Sequence, residues 1–166
     1  MLLRELFDYK NLIMKSLCSN ADIVKLLTGK NDIVVPAHDL PYTQLYPFEF
    51  IPDTADDSRT YICFDVDIAK VPSKTFYDPV LYIWIVVHKS QMRLPEGGVR
   101  MDELASAIDE EFNRSRYFGL GELQLSAVKR FTPLVDFLGR TLVYKAKDFN
   151  NPGPPRRIPS NRKAGV

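Results

Sequence analysis

Asp65 and Asp67 are the first residues whose types and spacing suggest chemistry. Two carboxylates two positions apart on one strand face stand about 7 Å apart by the per-residue rise, a spacing that could hold a divalent ion. No third ligand is in view beside them, so a solvated sheet face is the plainer reading. His38 and His88 are the only histidines, and no Cys/His spacing fits a zinc site. His88 closes a hydrophobic run, where a hydrogen-bonded structural role suits it. Gly29-Lys30 suggests a phosphate loop, but Val24 stands in the place of the first glycine and Asn31 in that of the Ser/Thr. Gly119-Leu120-Gly121 precedes a strand pattern instead of a helix, which leaves little of a dinucleotide fingerprint. No serine sits in a nucleophile-elbow sequence. Glu103, Asp109, Glu110 and Glu111 lie mostly off the apolar stripe of a helix and read as solvated surface. Cys18 and Cys63 are most simply free thiols in a reducing compartment. The expectation is a chain with no catalytic residues, no metal site and no cofactor, hence not an enzyme.

The elements around these residues say more. Val80 to Lys89 is an almost unbroken β-branched and aromatic run, expected to be a strand buried on both faces or nearly so. Before it, Tyr61 to Lys70 alternates: Ile62, Phe64, Val66 and Ile68 face one way, and Tyr61, Cys63, Asp65 and Asp67 the other. A polar second face argues for one wet side and an antiparallel hairpin, with residues 71–79 as its loop. Leu2, Leu6, Tyr9, Ile13 and Leu17 recur at helical spacing, and Ser19-Asn20 can cap a second short helix that Gly29 closes. Met101, Leu104, Ala105, Ile108 and Phe112 mark the main helix, with Asp102 and Glu103 in its first turn. Glu122 to Phe131 and Thr141 to Lys147 read as a last strand pair joined by residues 132–139. The fold class is therefore α+β: an antiparallel sheet of about four strands in two hairpins, packed against one main helix, with two helices at the N-terminal end.

The 166 residues, 45% of them hydrophobic, fit a single domain with a real core over 1–148. Within it, residues 31–59 form an extended arm, since prolines at 36, 41, 47 and 52 forbid regular structure. The arm carries Tyr42, Tyr46, Phe48, Phe50 and Ile51, and such a segment lies on something. It either covers its own sheet or reaches a neighbouring subunit, as extended arms readily do. Residues 149–166 are a basic, proline-rich tail with Arg156, Arg157, Arg162 and Lys163 and no acid. With little to bury, it is expected to be disordered when free. It either contacts nucleic acid or an acidic partner, or merely solubilises the chain. The net charge of +1 gives no global attraction to nucleic acid or membrane. No apolar run is long enough to span a bilayer, and Met1 to Leu6 lacks the basic start and small-residue cleavage site of a signal peptide. Synthesis and folding in the cytoplasm are expected.

The order of elements resembles a known plan. Two helices ending in Ala21-Asp-Ile-Val-Lys-Leu-Leu-Thr-Gly29, a proline-containing extended stretch and Thr60-Tyr-Ile-Cys-Phe-Asp-Val66 come first. A polar loop, a hydrophobic strand, one helix and a hairpin ending Arg140-Thr-Leu-Val-Tyr-Lys145 follow. Over about residues 1–147 this resembles the tail terminator (tail completion, neck) proteins of long-tailed bacteriophages and phage-like particles. Residues 42–51, 132–139 and the tail look like additions to that plan. The resemblance implies a structural virion protein that assembles in the host cytoplasm. It would form a homo-hexameric ring at the end of the tail tube, stop tube polymerisation and join the tail to the head and neck. Its partners would be further copies of itself, the tail tube protein, a head-completion or neck protein and, where the tail has one, the tail sheath. DNA would pass in the lumen, and no membrane is involved. Under that reading Tyr42, Tyr46, Phe48 and Phe50 of the arm, with Phe76 and Tyr77 of the 71–79 loop, are the apolar interface anchors. Lys70, Lys74, Arg156, Arg157, Arg162 and Lys163 make the polar contacts at the ring faces. The alternatives are another neck component, such as a head-completion or connector protein, or a small ligand-binding domain.

Overall fold

The structure, a computed structural model, describes residues 4–29, 39–52, 58–71 and 76–149, the side chains of 148 and 149 aside. Helix α1 (Arg4–Ser19) buries Tyr9, Ile13 and Leu17 at four-residue steps, the stripe its sequence spells out. Asn20 ends it and starts α2 (Ala21–Thr28): its side-chain oxygen accepts the N–H groups of Asp22 at 3.2 Å and Ile23 at 3.1 Å. Gly29 closes α2 at φ 67°, a left-handed position where its N–H donates to the Lys25 carbonyl at 3.1 Å.

Four long strands follow the arm: β2 (Thr60–Lys70), β3 (Phe76–His88), β4 (Gln124–Leu134) and β5 (Phe137–Lys145). Helix α3 (Arg100–Phe112) lies between β3 and β4 in the chain, and β1 (Leu45–Tyr46) and β6 (Asp148–Phe149) are two-residue strands. The main sheet runs β1-β2-β3-β5-β4, and β6 pairs with the start of β3. The long strands are antiparallel, but the expectation of about four all-antiparallel strands needs correcting. A fifth strand, β1, comes from the arm and pairs with β2 in parallel, Leu45 against Ile62 and Tyr46 against Cys63.

The three helices pack on one face of this sheet. The core joins Ile13, Leu17, Ile23, Leu27, Leu104, Ile108 and Phe112 to Ile62, Phe64, Ile83, Ile85, Leu142 and Tyr144, all at most 2% exposed. Arg100 is buried beside them (6% exposed) and donates to the Gln91 carbonyl at 2.7 Å and the Leu26 carbonyl at 2.5 Å. It thereby satisfies an orphan carbonyl of the last turn of α2 and clamps α2 to α3. Tyr144 reaches Asp109 of α3 at 3.0 Å; burial and the neighbouring carboxylate push its phenol well above the usual tyrosine range.

The second face of β2 is not wet along its length, which is a further correction. Tyr61 and Cys63 are buried there, because Tyr46 and Phe50 of the arm fold over them and over Val86 and Phe137. The strand ends also differ from expectation. Residues 76–79 belong to β3, with Pro79 opposite Ile68 where β2 shifts register. Residues 132–134 and 137–139 are strand, joined by a two-residue turn at Val135-Asp136, and Pro133 falls at the register shift between Phe131 and Leu134. A proline without an N–H is tolerated at such irregularities.

Candidate assembly surfaces

The aromatic residues of the arm divide into two sets. Tyr46 and Phe50 stack at 4.0 Å with an interplanar angle of 11°, and both pack against Tyr61, at 6.3 and 5.7 Å. Of the two readings left open for the arm, this inner pair covers its own sheet. Phe48 meets Tyr46 edge-on at 5.6 Å but is 43% exposed, and Tyr42 and Ile51 are 64% and 44% exposed. Tyr42, Phe48 and Ile51 therefore leave an apolar surface on the outside of the arm.

Phe76 and Tyr77 lie in β3, not on a loop. Tyr77 is 1% exposed and its hydroxyl lies 2.9 Å from that of Tyr9, whereas Phe76 is 43% exposed. Only the latter has surface to offer a partner. Lys70, at the end of β2, lines a cleft of about 530 Å³ with Asp78, Glu122, Lys145 and Lys147. Lys74, Arg156, Arg157, Arg162 and Lys163 lie outside the described residues.

Of the residues that suggested chemistry, Asp65 and His88 have structural partners, Asp67 is exposed, and His38 lies outside the described residues. Asp65 pairs with Lys10 at 2.5 Å and accepts the Val66 N–H at 2.7 Å. Among the described residues no group of three or more His, Cys, Asp or Glu side chains could hold a metal ion. His88 Nδ1 accepts the Ser90 N–H at 3.2 Å and so caps the short turn at Lys89–Gln91. No helix among the described residues is long and apolar enough to cross a membrane.

Burial pushes the Cys63 thiol up to about 11, above its ordinary value, despite a weak 3.5 Å contact to the Phe50 carbonyl. The raised value keeps the reactive thiolate scarce at any pH well below 11. Half-buried Cys18 is shifted in the same direction by the same cause. A disulfide-exchange reagent at pH 8 is therefore expected to titrate Cys18 first and slowly, and Cys63 only on unfolding. Two thiols reacting at once in the native protein would contradict the packing of the arm over Cys63.

Sequence reasoning missed one further surface. Strand β4 is exposed for most of its length, Leu125 and Val128 being 36% and 46% exposed on the side where the helices pack farther in. Its signal was weak: a strand pattern with apolar and cationic residues mixed and poor alternation. On α1, Phe7 is 66% exposed.

Three helices on one face of a mostly antiparallel sheet, with an arm folded over part of the other face, define a small α+β domain. The chain belongs to the YomW family, whose model matches residues 20–146. Its fold is similar to that of a chain in a structure described as the virion of a native gene transfer agent (GTA) particle. The TM-score is 0.51 at 18% identity, over 84% of this chain and 93% of that one. No curated protein matches it in sequence.

Proposed function

We propose that this chain is a structural subunit of a phage-like particle, and specifically a tail terminator. In this role, copies form a ring, a hexamer, on the last ring of the tail tube. The ring stops tube polymerisation and presents its other face to a head-completion protein of the neck, with a sheath as a further neighbour where the tail contracts. The protein acts in the virion, through the geometry of its contacts, and needs no reaction or cofactor. The observation that carries this reading is the likeness of fold to a chain of a gene transfer agent virion over 84% of this chain and 93% of that one. The order of elements that resembles the tail terminators supports the finer assignment, and the partly exposed rings of Tyr42, Phe48 and Phe76 suit a subunit with neighbours.

The same likeness suits a second reading, another neck component, because a virion chain of this fold could face the head instead of the tube. Native mass across a concentration series, with and without purified tail tubes, separates the two. The terminator reading expects a species near six times 19.0 kDa, or saturable capture at tube ends. A strict monomer that ignores tubes at every concentration would move the assignment to another position in the neck.

A further inference from the structure

The two layers of the domain are offset by about one strand. Helices α1 and α2 lie over β2, and α3 lies over β3 and β5, so β4 projects past the helices as a ledge. Its eleven residues make a strand roughly 37 Å long. On the helix side the ledge carries Leu125, Val128 and Arg130, all exposed. Arg130 stands directly across from Arg140, which is already paired with Asp102, so a cation is left facing a cation. Lys129 is exposed on the other face. Apart from Asn113, whose side chain accepts the Leu125 N–H at 3.2 Å, no described residue pairs with the outer edge of β4.

The opposite margin of the molecule has the converse shape. There β1 covers only Ile62 and Cys63, and from Phe64 to Lys70 the edge of β2 has no strand beside it among the described residues. Asp65 is held by Lys10 and by the Val66 N–H, but Asp67 is exposed and has no ion pair among the described residues. Above this edge runs the flank of α1 that carries Lys10, which also donates to the Pro47 carbonyl at 3.0 Å. By helical spacing Phe7, Met14 and Cys18 share that flank. Phe7 is 66% exposed, and Met14 and Cys18 border a groove of about 750 Å³ beside Pro41.

One margin is thus a strand without a helix above it, and the other is a helix flank above a strand edge without a neighbour. Charge matches as well as shape. Through the register, Lys129 lies opposite Thr141, Thr141 opposite Trp84, and Trp84 opposite Cys63. Lys129 is therefore on the same sheet face as Cys63 and, by alternation, as Asp67. We propose that copies of this chain join head to tail, with Leu125, Val128 and Lys129 of one β4 ledge seated against Phe7, Met14 and Asp67 of the next copy. Such an interface is heterologous, and it closes into a ring when the rotation per copy allows. The proposal rests on the assembly reading above and names the surface that reading leaves open.

Two charge-reversed proteins test it, Lys129→Glu/Arg130→Glu and Asp67→Lys. Each places like charges across the joint, which costs association heavily. Each should shift the association midpoint, with tubes present if the wild type needs them, by at least about tenfold. Neither should disturb the monomer, since a glutamate at 130 gains Arg140 as a neighbour and Asp67 has no ion pair among the described residues; unchanged circular dichroism and urea midpoints check this. An equimolar mixture restores opposite charges at every joint, provided the two proteins alternate, so assembly should return in rings of even number. Reversed proteins that assemble like the wild type would overturn this interface and leave the ring standing. Loss of assembly without rescue on mixing would also overturn it, and would give the β4 edge to a different partner. A wild type that never associates, with or without tubes, would sink the interface and the ring together.

Discussion

Truncating Phe112 to alanine is expected to remove about 3–5 kcal/mol of folding stability, the upper part of the range for core substitutions. Phe112 is 0% exposed at the end of α3 and stacks on Phe118 at 4.6 Å with an interplanar angle of 17°. It also meets Tyr144 of β5 at 6.3 Å, so one ring ties the helix layer, the irregular stretch after α3 and the sheet. The site cannot easily collapse to fill the space. Phe118 is followed by Gly119 at φ 72°, where an added Cβ would stand 2.8 Å from the Tyr9 ring, so this stretch is already pressed against α1. For a chain of this size the loss corresponds to roughly 6–20 °C in Tm. Urea unfolding is the direct measurement, with an unchanged m-value to show that the denatured state is not the cause. A loss below about 1 kcal/mol would mean that the stretch from 113 to 123 is not packed on the core in this way. Tyr117, in the same stretch but 88% exposed, provides the internal control, since its truncation should change stability by about 0.5 kcal/mol or less.

How far the fold was legible depended on whether the deciding interaction was local. Helices α1 and α2 follow from spacing and from two residues, Asn20 and Gly29, that act on their own backbone neighbourhood. The long strands also show in the sequence, but their ends do not. Pro79 and Pro133 read as breaks, yet each is accommodated in or beside a register shift that only pairing creates. The parallel pairing of β1 is still less legible. Leu45 and Tyr46 are two residues in a proline-interrupted segment, and they become a strand only because β2 offers an edge. The burial of Tyr61 and Cys63 depends on the same event, so the alternating polar face of β2 is covered at one end and exposed at Asp67.

The candidate surface was legible by residue type but not by side. Six aromatic residues stood out as anchors, and folding sorts them. Tyr46, Phe50 and Tyr77 turn to the protein's own packing, while Tyr42, Phe48 and Phe76 keep exposed rings. Alternation within a segment cannot decide this, because it names a face and not what covers it. The β4 ledge escaped notice for a related reason. Leu125 and Val128 would be ordinary core residues in a strand beneath a helix, and only the strand order puts them past the helix layer.

Tyr77 provides the sharpest separation between an anchor for a neighbour and a residue of the core. Its side chain is 1% exposed, and its hydroxyl lies 2.9 Å from that of Tyr9, which in turn donates to Glu5 at 3.2 Å. Tyr77→Ala should therefore destabilise the monomer by about 3–5 kcal/mol, through lost packing and a partly unsatisfied Tyr9 hydroxyl. Tyr77→Phe keeps the ring and loses the hydroxyl contact, so about 1 kcal/mol is expected. Its chain neighbour Phe76 is 43% exposed, so Phe76→Ala should cost clearly less than Tyr77→Ala in the urea midpoint. If the segment serves assembly, that second substitution is the one that weakens it. The opposite pattern, a stable Tyr77→Ala monomer that fails to associate, would show that Tyr77 leaves the core to meet a partner. Because Tyr9 is pressed against Gly119 beside Phe118, the Tyr77 and Phe112 truncations share a path through the core. Their combined loss should then fall short of the sum of the two.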